Sequence, residues 1–123
     1  MYKRQQLAEG TAFADFEYDE WATQARRSLE QQLIGLLDLL SVQAEDGGDL
    51  PAAQAYAERA LRLDRYSDSR YVRLSELLAM QDRVAAAIAV LDDAAQVAQE
   101  LGGVAPSTLG QRRTELVRRA ALR

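Results

Sequence analysis

Gly48-Asp49-Leu50-Pro51-Ala52-Ala53-Gln54-Ala55-Tyr56-Ala57-Glu58-Arg59-Ala60-Leu61-Arg62-Leu63-Asp64 reads as a turn followed by a helix with small residues at fixed places and a leucine near its end. Shifting the chain by 34 residues brings the pattern back. Gly48 lands on Asp82, Leu50 on Val84, Ala53 on Ala87, Ala57 on Leu91, Ala60 on Ala94 and Leu61 on Ala95. The residues before the turn match as well: Leu37 lands on Tyr71, Leu40 on Leu74, Ser41 on Ser75 and Ala44 on Leu78. Each unit therefore holds two helices, and neither helix of such a unit can bury its apolar face alone. The recurring alanines let helix backbones approach closely where they cross. A repeat of this kind builds surfaces, which points to binding rather than catalysis.

Working outward, Met1 to Glu9 is read as a short helix broken by Gly10, followed by the aromatic cluster Phe13, Phe16, Tyr18 and Trp21. The cluster is expected to plug the open end of a helical stack; an exposed patch for a partner is the alternative. A long helix is expected from about Asp19, as N-cap, to Asp46. Its apolar ladder Trp21, Ala25, Leu29, Leu33, Leu36, Leu37, Leu40 and Ala44 steps by three and four, so that face is expected to be buried. Gly35 marks a close helix contact or a slight bend, and Gly47-Gly48 ends the helix.

Asp49 and Pro51 suit the start of the second helix, which ends near Asp64-Arg65. Ser67 or Asp68 caps the third, with Tyr71, Leu74, Leu77 and Leu78 inward. The fourth runs from about Arg83 to Leu101, with Val84, Ala87, Ile88, Leu91, Ala94, Ala95, Ala98 and Leu101 on one stripe. After Gly102-Gly103 and Pro106, Ser107 is read as N-cap of a final helix to about Ala121, its stripe Leu109, Leu116, Val117 and Ala120. The predicted fold is all-α, a right-handed α-solenoid of antiparallel helix pairs with about five main helices. Its parts are an N-terminal extension over 1–18, helix pairs over 19–66 and 67–101, and a capping helix over 107–121.

Composition narrows the chemistry. The 123 residues suit one domain, and scarce proline and glycine favour helix throughout. The chain has neither cysteine nor histidine, so it lacks thiolate ligands, disulfides and the commonest general base. No stretch matches a phosphate-cradling G-x-x-x-x-G-K motif. The carboxylates that stand close in sequence (Asp15, Glu17, Asp19 and Glu20; Glu45 and Asp46; Asp92 and Asp93) fall at helix ends and polar faces, not in a pocket that would raise one pKa. No enzyme activity and no cofactor are expected. Nor does any apolar run reach membrane-spanning length, and the N-terminus lacks a signal-peptide core. A cytoplasmic location is expected.

The net charge of −4 divides unevenly. From Val104 onward five arginines stand against Glu115, a balance of +4, leaving −8 on the other 103 residues. Arg112, Arg113, Arg118 and Arg119 form a candidate basic face, for phosphates or, as the plainer reading, a solvated helix face. The repeat geometry supplies a second candidate, a groove lined by the first helix of each pair: Asp38, Val42 and Glu45, with Ser69, Val72, Arg73 and Glu76.

Four features occur together in order: Asp15-Phe16-Glu17-Tyr18-Asp19-Glu20-Trp21-Ala22, Gly48-Asp49 with Arg59-Ala60-Leu61-Arg62-Leu63-Asp64, Arg83-Val84-Ala85-Ala86-Ala87-Ile88, and Glu100-Leu101-Gly102-Gly103-Val104-Ala105-Pro106-Ser107. In these the chain resembles the bacterial transcriptional activator domain, the tetratricopeptide-like module of SARP-type regulators, from about Gly10 to Leu116. It departs from that pattern at turns: Arg65-Tyr66 stands where proline is usual, Asp82 where glycine is expected, and Leu101-Gly102-Gly103-Val104 carries one extra glycine. The resemblance implies a non-catalytic regulatory and protein–protein interaction domain. Its implied partners are its own DNA-binding domain, a second copy or the transcription machinery, with DNA reached only through a winged-helix domain that these residues do not supply. A general tetratricopeptide adaptor unrelated to transcription is the alternative.

Overall fold

The computed structural model describes the backbone of residues 2–103 and 105–122, and the side chains of residues 18–103 and 105–122. The described chain is all-helical, with α1 Tyr2–Asp46, α2 Leu50–Leu63, α3 Asp68–Met80, α4 Val84–Glu100 and α5 Ser107–Ala121. It falls into two compact units, Met1–Leu33 and Ile34–Arg123.

The 34-residue period is visible in the backbone. Gly48 and Asp82 both adopt positive φ, +81° and +65°. In both turns the residue immediately before the next helix reaches back identically: Asp49 N–H donates to Ala44 O at 2.8 Å, and Arg83 N–H to Leu78 O at 2.9 Å. This is the Schellman closure, which satisfies a carbonyl left over at the helix C-terminus. Gly102, at φ +78°, ends α4 the same way, with Gly103 N–H on Ala98 O at 3.1 Å. Asp82 thus occupies a conformation that favours glycine and that aspartate tolerates better than most side chains. The departure from the family pattern at this position changes the residue and keeps the turn.

Packing repeats with the turns. Ala53 and its counterpart Ala87 are both 0 % exposed. Leu37 and Tyr71, Ala57 and Leu91, Ala60 and Ala94, and Ser41 and Ser75 are likewise buried pairs at the same offset. The buried residues of α2 are all alanines, Ala53, Ala57 and Ala60, whereas α3 buries Tyr71, Leu74, Leu77 and Leu78. A small-residue face set against a large-residue one lets neighbouring helices pack closely. Helix α3 is central to the core, packing against α2, α4 and α5. Leu109 and Leu116 carry α5 onto the same cluster.

Caps follow the sequence in part. The Asp49 carboxylate accepts from Ala52 N–H at 3.2 Å, the expected N-cap bond of α2. Ser67 precedes α3 without a side-chain capping bond, its hydroxyl lying 3.0 Å from that of Ser69. Ser107 is the first residue of α5 and Pro106 takes the cap position, one residue before the expected place.

Helix α1 departs from expectation. Gly10 does not interrupt it, and Asp19 lies within it instead of capping it. Of the ladder predicted to be buried, only Leu37 is fully so, while Leu40 and Ala44 are half-buried. Trp21, Leu29, Leu33 and Leu36 are exposed, and Ile34 and Ser41 take the inward positions beside Leu37. A Cβ built on Gly35 meets nothing within 4 Å, so this glycine serves no close helix contact.

Candidate functional site

Of the seven residues predicted to line a groove on the first helices of the pairs, Asp38, Glu45 and Arg73 are held in ion pairs between α1 and α3. Arg70, one helix position from Ser69, holds Asp38 with both terminal guanidinium nitrogens and donates from Nε to Asp64 at 2.9 Å. One helical turn on, Arg73 donates to Glu45 at 3.2 Å and to the Ser41 hydroxyl at 2.9 Å. Ser41 in turn donates to Ala53 O at 2.9 Å, so this chain of bonds runs from α3 through α1 to α2. The hydrogen bond that Arg70 donates to Asp38 is the largest influence on Arg70, raising its pKa; burial opposes it, and Asp64 adds to it. The planar guanidinium fork suits this role, since it meets two carboxylates at once.

The structure therefore uses Asp38, Glu45 and Arg73 to tie helix to helix. Val72 packs against the core, while Val42, Ser69 and Glu76 remain exposed. These three leave a patchy surface with one carboxylate, one hydroxyl and one methyl cluster, and no enclosing walls. Arg70, the residue at the centre of the arrangement, was not singled out from the sequence. Its signal was the 32-residue spacing from Asp38, close to one repeat, which brings the two helices' equivalent faces together.

The four arginines of the predicted basic face do not act together either. Arg113 donates to Asp92 at 2.6 Å, which fastens α5 to α4. Arg119 reaches Ala79 O at 3.3 Å, where a cation meets the carbonyl end of α3. Arg112 pairs with Glu115 at 3.2 Å, and its buried Nε has no hydrogen-bond partner among the described residues. Arg118 is exposed. Three of the four are thus turned to packing and intramolecular pairing, which disperses the face expected to meet phosphates.

An open cavity lies elsewhere, on the second-helix side. A groove of about 740 Å³ is lined by Glu58, Leu61, Arg62 and Arg65 from the end of α2 and its turn, and by Asp93, Gln96, Val97 and Glu100 from α4. Tyr71 of α3 closes it from below, its hydroxyl donating to Arg65 O at 2.7 Å. Arg65 and Glu100 face each other across it at 3.4 Å, both more than half exposed. Burial raises the Tyr71 pKa most; Asp93, Asp68 and Glu100 add to the rise and Arg65 opposes it.

Sequence reasoning missed this groove, although a signal was present. Both walls offer residues at the same helical spacing, 58, 61, 62 and 65 on one and 93, 96, 97 and 100 on the other, each an outward stripe beside the buried alanines. What the period could not say is which side of the helix pairs stays open. That depends on how completely α1 and α3 close against each other through Arg70 and Arg73.

Two members of the aromatic cluster, Tyr18 and Trp21, are not buried as a plug would require. Tyr18 and Trp21 are each 64 % exposed, their rings 6.1 Å apart and tilted by 39°. The side chains of Phe13 and Phe16 lie outside the described residues. No helix among the described residues is long and apolar enough to cross a membrane. Comparisons with protein-family models, curated proteins and solved structures find no match, so the resemblance to the activator domain rests on the quoted residues alone.

Proposed function

We propose that the chain is a non-catalytic protein–protein interaction and regulatory domain of a bacterial transcriptional activator, acting in the cytoplasm beside a separate winged-helix DNA-binding domain. The observation that carries this reading is the 34-residue helix-pair repeat with its matched turns at Gly48 and Asp82. Around it stand the Asp15–Ala22 opening and the Glu100–Ser107 exit that resemble the family. On this reading the repeats stack as a short right-handed solenoid and the surfaces they hold outward do the work.

Exposed apolar residues support docking on protein. Tyr18, Trp21, Leu29 and Leu33 recur at helical spacing on the N-terminal unit and are all exposed. Aromatic and leucine side chains displayed in this way mark surfaces that another protein covers. The candidate partners are the DNA-binding domain, a second copy or the transcription machinery.

The general tetratricopeptide adaptor is the second reading, supported by the repeat without its flanks. The two part on a reporter experiment with the chain joined to an unrelated DNA-binding domain in a bacterial host. Activation of a promoter carrying the cognate site is expected. A soluble, folded fusion that occupies the site and leaves transcription unchanged, with no winged-helix segment encoded next to the chain, would overturn the activator reading in favour of the adaptor.

A further inference from the structure

We propose that the groove between α2 and α4 docks a protein segment that presents a cationic side chain, lysine or arginine, next to an apolar one. The inference deepens the reading of the chain as an interaction module and is independent of any role in transcription. The groove is open, and its volume, about 740 Å³, lies within the range of clefts that hold drug-sized ligands. Its apolar surface comes from Leu61, Val97 and the ring of Tyr71, with Leu61 and Val97 half-buried and packed against the core.

The charge around this surface favours a cation. Five ionisable side chains other than Tyr71 line the groove: Glu58, Asp93 and Glu100 against Arg62 and Arg65. Arg65 and Glu100 offset each other across the mouth, leaving Glu58 and Asp93 against Arg62. Both walls are also the last two turns of their helices, α2 ending at Leu63 and α4 at Glu100. Two carbonyl-terminated helix ends therefore add negative partial charge to the same region. The raised pKa of Tyr71 comes first from burial; among the charges around it Arg65 opposes the rise, and Asp93, Asp68 and Glu100 add to it. The Arg65–Glu100 pair at the rim is solvent-exposed, and exposed pairs of this kind are weak enough for an incoming group to displace.

The test uses the full chain with methyl-labelled leucine and valine and three size-matched probes: benzamidine, benzyl alcohol and benzoate. Benzamidine joins an apolar ring to a cation, and a fragment so small saturates in the millimolar range. Saturable shifts of the Leu61 and Val97 methyl signals are expected with benzamidine, weaker ones with benzyl alcohol and the weakest with benzoate. Asp93→Asn is expected to loosen benzamidine at least about threefold, toward the affinity of the neutral probe, and Arg62→Gln to tighten it. Asp93 and Arg62 are both exposed, so neither substitution touches the core. Benzoate binding as well as benzamidine, an indifferent Asp93→Asn, or no saturable shift at these methyls would overturn the assignment. None of these results bears on the reporter experiment, so the groove and the activator reading fail separately.

Discussion

Residues 18–33 of α1 and the thirteen residues of α3 both carry large apolar side chains at helical spacing, yet they end in opposite states. Helix α3 buries Tyr71, Leu74, Ser75, Leu77, Leu78 and Ala79, whereas nothing between Tyr18 and Leu33 is buried. Leu77 is 0 % exposed and Leu29 is 66 % exposed. Both would be placed inward by periodicity, because a stripe of leucines records only that a helix has an apolar side. Burial requires a partner within reach, and α3 has three helices packed against it. The apolar side of residues 18–33 is instead exposed, so it adds little to stability, whereas the buried side of α3 adds much.

The sharpest test of this contrast is a matched pair of truncations. Leu77→Ala is expected to cost about 2–5 kcal/mol, from lost burial and the cavity left behind. Leu29→Ala should change stability by less than about 0.5 kcal/mol. Urea unfolding followed by circular dichroism reads both, and similar losses for the two would break the comparison. Next in size is overpacking at the small-residue crossings. Ala53→Leu, at a site with no exposed surface, is expected to cost about 1–3 kcal/mol by forcing α2 away from its neighbours.

Tyr71 supplies a pH-dependent test within the buried region. Because its folded-state pKa is raised above the ordinary value of about 10, folding favours the neutral phenol. Its contribution is complete below pH of about 10 and is lost as pH rises through and beyond that value. Tyr71→Phe removes the bond to Arg65 O and is expected to cost about 0.5–1.5 kcal/mol near neutrality. The variant should also lose less stability than the parent as pH rises above about 10. A thermal-unfolding series in which the two curves stay parallel would show that Tyr71 does not titrate against folding.

The smallest expected effect is a gain. A Cβ at Gly35 meets nothing within 4 Å and its backbone is helical, so Gly35→Ala should stabilise by about 0.4–1 kcal/mol. A loss instead would mean that this exposed stretch of α1 has a close neighbour after all, and would weaken the contrast with α3.

The helical class, four of the five helices to within a residue or two, and the repeat were legible because each is encoded locally. Gly48 and Gly102 announce positive φ, Asp49 announces a cap, and the alanines at 53, 57, 60, 87 and 94 announce close crossings. Even Asp82, which lacks the expected glycine, was placed at its turn by the 34-residue shift. The start of α1 was not legible, since Gly10 and Asp19 carry stop and cap propensities that the surrounding helix overrides.

The candidate sites were less legible than the fold. Asp38, Glu45, Arg73, Arg113 and Arg119 read as a surface because charged residues usually stay in water, but they bond across helices, while Arg112 pairs within α5 with Glu115. Whether such a side chain meets solvent or a partner depends on residues 21 to 40 positions away, and no local pattern contains that.

By itself the sequence determined that this chain is helical and repeated, where its turns fall, and which small residues sit where helices cross. Those properties follow from backbone preference and short-range periodicity. The tertiary structure alone decided which side of the helix pairs is sealed by Arg70 and Arg73 and which is left open around Tyr71. The reason is physical: packing chooses among several apolar stripes and charged partners that are equivalent in one dimension, and only contact in three dimensions separates them.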